Sequence, residues 1–105
     1  VVFGGGDAPD WQIDARHAEV SPDGKTIELI GDVLIERAAF DQRPVMTIAT
    51  DRLRVRPDED YAETDERVKV RSGTDRIDAI GMQAWMRPPR RVRFLSNVRG
   101  YYEPL

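Results

Sequence analysis

Glu63, Asp65 and Glu66 form the densest carboxylate cluster in the chain, and paired carboxylates in a cleft are what acid–base cleavage of a glycoside needs. Their setting argues against that use. They follow the turn Pro57-Asp58-Glu59-Asp60, where acidic residues serve solubility, and that turn lacks the Asp-x-Asn/Asp-x-Asn/Asp-Gly series with a distal Glu of a calcium loop. His17 is the only histidine and the chain has no cysteine, so His17 reads as a surface strand residue rather than a ligand. Nucleophile elbows, phosphate loops and histidine relays are missing, and Gly4-Gly5-Gly6 reads as a linker. The sequence therefore assigns no catalytic residue, no metal site and no cofactor.

Arginine is the other chemistry-bearing type, with fourteen against two lysines. Arg52, Arg54 and Arg56 alternate with Leu53 and Val55, and Arg91 and Arg93 alternate with Val92 and Phe94. In a strand this spacing puts the guanidiniums on one outward face. Such a stripe is either an ordinary solvated sheet face or a phosphate-contacting one, because the guanidinium fork matches phosphate oxygens. A net charge of −3 and the lack of clustered exposed aromatics argue against nucleic acid as the phosphate source.

The elements that carry these residues follow from a repeat. Ile77, Ala79, Met82 and Ala84 stand at i, i+2, i+5 and i+7, as do Ile13, Ala15, Ala18 and Val20, and also Ile48, Thr50, Leu53 and Val55. About twenty residues after each leading Ile comes an apolar anchor: Val33, Val68 and Val98. The reading is three copies of a two-strand unit that buries its apolar face only by stacking on its neighbours. The change of phase inside each first strand, at Gly81 in the last copy, is what a β-bulge produces, and it bends the sheet. Ser21-Pro22-Asp23-Gly24, Asp41 to Pro44, Pro57 to Asp60, Ser72-Gly73 and Pro88-Pro89 are the turns. No amphipathic helix interrupts the series. The fold class is all-β, an antiparallel meander forming a twisted, incompletely closed β-jelly-roll, with residues 1–9 a flexible lead and 10–105 one domain.

At 105 residues, 40% hydrophobic and 33% charged, the chain is too apolar for disorder and has no run long enough to span a membrane as a helix. Its start lacks the basic and apolar regions of a signal peptide. The absence of cysteine fits an oxidising compartment as well as a reducing one.

Tyr61-Ala62-Glu63-Thr64-Asp65-Glu66 with Val68, and Ser96-Asn97-Val98-Arg99-Gly100 with Tyr102-Glu103-Pro104, resemble the LptC family of lipopolysaccharide-export bridge proteins. Trp11-x-Ile13-x-Ala15 and Leu29-x-Gly31-x-Val33-x-Ile35 are similar to the same family, and are shared with the sister LptA. Arg67 stands where many relatives have Pro. The resemblance implies an LptA-like jelly-roll in the Gram-negative periplasm, on a protein anchored in the inner membrane. The chain then reads as a fragment without the family's membrane helix and first periplasmic segment. It implies a non-enzymatic carrier that accepts lipopolysaccharide from the inner-membrane ABC transporter at its N-terminal edge and passes it to LptA at its C-terminal edge. Acyl chains would lie in an apolar groove lined by Ile13, Ala15, Leu29, Val33, Ile48, Leu53, Ile77, Ala79, Met82, Ala84, Phe94 and Val98. The interface edge would be Arg91, Arg93, Asn97, Val98, Arg99, Gly100 and Tyr102, and self-association through β edges is left open. An LptA-type bridge protein and a structural β module with a dry core, binding partners through its edge strands, are the other readings.

Overall fold

Branched and small apolar residues alternating with charges make one-sided strands, because successive side chains of an extended backbone point to opposite faces. A computed structural model describes residues 2–3, 11–39 and 42–101. The described residues form eight strands: β1 (Val2–Phe3), β2 (Trp11–Asp14), β3 (His17–Val20), β4 (Ile27–Arg37), β5 (Met46–Arg56), β6 (Tyr61–Ser72), β7 (Asp75–Trp85) and β8 (Arg91–Tyr101). All pair antiparallel in one sheet ordered β1-β2-β4-β5-β6-β7-β8, with β3 also on β4. The all-β, unclosed architecture read from the sequence is thus observed. Within the stretch 1–9, read as a flexible lead, Val2–Phe3 pairs with Trp11 and Gln12, and the rest lies outside the described residues.

The repeat is a hairpin with a bulged return arm. Leu29 pairs with Leu53 and Val33 with Thr50, so the four steps from Leu29 to Val33 on β4 face three steps on β5. The same one-residue excess recurs on β6 between Thr64 and Arg67 and on β8 between Ser96 and Arg99. The bulges come beside the anchors Val33, Val68 and Val98, which explains why the motif recurs in sequence. They line up across the sheet as a crease, and backbone there takes left-handed values: φ is +82° at Gly31, +46° at Asp32, +83° at Gly81 and +49° at Asn97. Aligned bulges add bend and twist, and the sheet curls until its apolar face meets itself. At the crease Leu53 and Met82 are 0% exposed and Val33 and Val68 1%.

Ser21-Pro22-Asp23-Gly24 closes the β3–β4 hairpin as read. The Gly24 N–H donates to the Ser21 carbonyl at 2.8 Å, and the Ser21 hydroxyl donates to Asp23 Oδ1 at 2.6 Å. The Ser21 bond, then one from the Lys25 N–H, holds the Asp23 carboxyl below its ordinary pKa. Ala18 and Val20 pair with Leu29 and Ile27 and so share their face, yet Val20 is 62% exposed because β3 is an edge strand.

Candidate functional site

Two cross-strand rows of the inner face carry the site. Ile13, Ile35, Ile48, Val70 and Ile77 are successive partners along one row, and Ile27, Val55, Ala62, Ala84 and Val92 along the other. Directly opposed residues in antiparallel strands share a face, so each row is continuous. The curl brings the isoleucine end of the first row over the alanine end of the second. Methyl side chains at Ala62 and Ala84 leave a space that Ile13, Ile35, Ile48 and Met82 do not fill, a cavity of about 260 Å³. That is less than the roughly 300–1,000 Å³ of a pocket enclosing a drug-sized ligand.

The cavity opens at the end of the sheet. Its outer lining has an apolar part, Trp11, Met46, Met86 and Val92, and a cationic part, Arg37, Arg43 and Arg90, while Trp85 and Arg91 border it from the edge of the opposite face. Arg37 faces inward between its strand partners Trp11 and Met46. Its Nη2 donates to the Pro44 carbonyl at 3.1 Å, while its Nε is buried and has no hydrogen-bond partner among the described residues. Arg91 lies over the Trp85 ring, 4.2 Å from the centroid.

The residues read from the sequence as a groove divide into groups. Ile13, Ile48, Met82 and Ala84 line the cavity. Leu29, Val33, Leu53 and Ala79 are buried in the closed middle of the trough. Ala15, Ile77 and Phe94 are partly buried against the same cluster. Val98 is 52% exposed on β8. Sequence reasoning missed Trp11, Arg37, Met46 and Met86 as a group. Alternation along β4 would have found one of them: one more step beyond Val33 and Ile35 puts Arg37 on the apolar face.

The opposite face holds the residues that raised catalytic and phosphate chemistry. Arg52 pairs with Glu28 at 3.3 Å, and Arg54 and Arg56 with Glu63 at 3.2 and 3.9 Å. This stripe is a network of surface ion pairs, each worth about 0–1 kcal/mol. Glu63 also accepts the Tyr61 hydroxyl at 3.0 Å, and burial together with Glu63 raises the Tyr61 pKa. Arg56, Tyr61, Trp85 and Arg91 stack as a row across four strands, at 5.8, 5.4 and 4.2 Å. His17 is exposed on β3, its Nε2 3.4 Å from Glu19. Among the described residues no three of His, Asp or Glu gather as a metal site, and no helix is long and apolar enough to cross a membrane.

The sheet ends on β8, which pairs only with β7 among the described residues. Arg91, Arg93, Asn97, Val98, Arg99 and Gly100 of the edge read from the sequence lie on it, and Tyr102 lies outside the described residues. Val92, Leu95, Val98 and Tyr101 are 42–52% exposed along the same strand.

The described residues thus form an unclosed, creased β-trough with an apolar cavity bordered by arginines. Over residues 1–103 the chain matches the family described as "Lipopolysaccharide-assembly, LptC-related", and it belongs to that family. Membership places it in lipopolysaccharide transport, in a family of transport proteins rather than enzymes. No curated protein matches the chain.

Proposed function

We propose that the domain is a periplasmic carrier of lipopolysaccharide, part of a protein held at the inner membrane, and that it shields acyl-chain ends in the cavity under Ala62 and Ala84. The observation that carries this reading is the cavity itself: an unfilled apolar space at the open end of a trough whose middle is tightly packed. Removing an acyl chain of about twelve carbons from water is worth roughly 10 kcal/mol, at about 0.8 kcal/mol per methylene. That cost bars free diffusion, and a carrier lowers it without trapping the lipid if it covers only part of the chain. Photo-crosslinking residues placed at Met46 and Phe94 should capture lipopolysaccharide in a Gram-negative host, and one at exposed Asp78 on the outer face should not. Capture at Asp78 with none at Met46 or Phe94 would overturn the reading.

Transfer along the bridge adds a role for the edges. In this reading β8 extends the sheet into LptA, and the opposite edge meets the inner-membrane ABC transporter. Support comes from the outer edge of β8, which has no strand partner among the described residues, and from its four exposed apolar residues, which form a template for strand addition. Val98→Lys places a charge at a half-exposed position. It should abolish co-purification with LptA while moving stability by no more than about 0.5 kcal/mol; undiminished co-purification refutes the edge assignment.

A further inference from the structure

We infer that β8 selects its partner by charge. The strand that adds to it carries carboxylates at alternate, outward-facing positions opposite Arg91 and Arg93, a further one opposite Arg99 beyond the bulge, and apolar residues between. This rests on the edge reading of β8 and adds the chemistry of the strand that fits there. Inside the sheet, outward arginines are met by carboxylates on the neighbouring strand: Arg52 of β5 by Glu28 of β4, Arg54 of β5 by Glu63 of β6, and Arg71 of β6 by Asp78 of β7. On β8 that pairing is left half complete. Arg91, Arg93 and Arg99 stand opposite Trp85, Gln83 and Asp78 and share the outer face with them. Trp85 and Gln83 carry no charge, and Asp78 already accepts Arg71 at 3.2 Å. β8 contains no Asp or Glu, and none of its three exposed arginines is in an ion pair among the described residues. A carboxylate on the same face must then come from a strand added at the outer edge.

Charge is also unevenly spread along the sheet. Residues 75–101 carry six arginines and two aspartates, a net +4, on a chain whose total is −3, whereas residues 11–37 carry six carboxylates, two arginines and one lysine, a net −3. The β8 end therefore presents a positive field, which draws an acidic strand and repels a basic one. Val92 and Val98, 42% and 52% exposed, leave apolar surface on the same strand for the alternate positions of the incoming one. Exposed ion pairs add little to affinity, so backbone bonds and apolar contacts hold the complex, while the arginines set its rate of encounter, its register and its choice of partner.

The test measures the association and dissociation rates of the purified chain with LptA over a range of salt concentrations. Association should slow as salt is added. At low salt Arg93→Glu should lower the association rate roughly tenfold and Arg93→Gln by less, and both differences should shrink in high salt. Arg93 is exposed and its register partner is the uncharged Gln83, so neither change disturbs an ion pair of the fold. Lys25→Glu makes the same change in net charge at an exposed position of the β3–β4 turn, and should leave the rate within about twofold. Equal effects of Arg93→Glu and Lys25→Glu, or association that ignores salt, overturn the charge selection. If Val98→Lys still abolishes the complex in that case, the edge reading stands. If LptA binds Val98→Lys and Arg93→Glu as tightly as the parent chain, the edge reading falls with the charge selection.

Discussion

Leu53→Ala should destabilise the domain by about 2–5 kcal/mol, the range for removing a buried leucine where the surroundings cannot collapse. Leu53 is 0% exposed and sits at the crease, paired with Leu29 on β4 and one step from the register shift between β5 and β6. Bulged backbone on both sides fixes the strands around it, so the neighbours have little freedom to fill the gap. A loss of this size is a large part of the roughly 5–15 kcal/mol that holds a domain together, and each kcal/mol lowers the melting midpoint by about 4–8 °C in a chain of this length. Urea denaturation should show a lower midpoint with an unchanged slope. Val20→Ala is the control. Val20 lies on the same face, but 62% exposed on edge strand β3, and its loss should fall within about 0.5 kcal/mol. Equal losses for the two variants would mean that the core is not centred on the crease.

The crease is also the part of the fold most legible in the sequence. Apolar residues at i, i+2, i+5 and i+7 can share a face only if the phase slips once, and a slip in a paired strand is a bulge. Three copies of the slip, each answered by a valine on the return arm, mark three bulged hairpins, although the register puts the extra residue on the return arms β4, β6 and β8 and not on the strands whose phase slips. The repeat is less informative at its ends. Val98 occupies in the third copy the place of Val33 and Val68 in the others, yet it is 52% exposed against 1% for each of those, because among the described residues β8 has a neighbour on one side only. A local pattern specifies which face a residue takes; how deeply it is buried depends on what lies beyond the strand.

The mouth of the cavity was hidden for a different reason. Arg37 was within reach, since alternation from Val33 and Ile35 turns it inward. Arg43 and Arg90 belong to the segments flanking Pro44 and following Pro88-Pro89, which carry no periodicity, and nothing local says that these segments meet. They meet because Trp11, Arg37 and Met46 fall in one row of the sheet while Ala84 and Val92 fall in another, and the curl sets the two rows against each other. The Arg52, Arg54 and Arg56 stripe shows the converse. Its spacing is conspicuous in sequence, but its charges are taken up by Glu28, Glu59 and Glu63.

Ala84→Leu separates a cavity that binds from one that is merely unfilled. Ala84 is 8% exposed, lines the cavity with Ile13 and Ile48, and has Ala62 and Val92 as strand partners. In a close-packed interior the extra carbons of a leucine force strain of about 1–3 kcal/mol. Here about 260 Å³ is available to receive them, so the melting temperature should stay level or rise. Those carbons, about three more than alanine carries, should displace about three methylenes of a bound chain; at about 0.8 kcal/mol each that is roughly 2.4 kcal/mol, a loss of about fiftyfold in affinity for lipopolysaccharide. Native mass spectrometry of protein purified from a Gram-negative host reads the retained lipid, and a thermal melt of the same sample reads the fold. Lipid retention unchanged beside a stable fold would take the cavity out of the binding site and leave a dry β module working through its edges. Loss of lipid with the fold intact ties transport to the space that two alanines leave open.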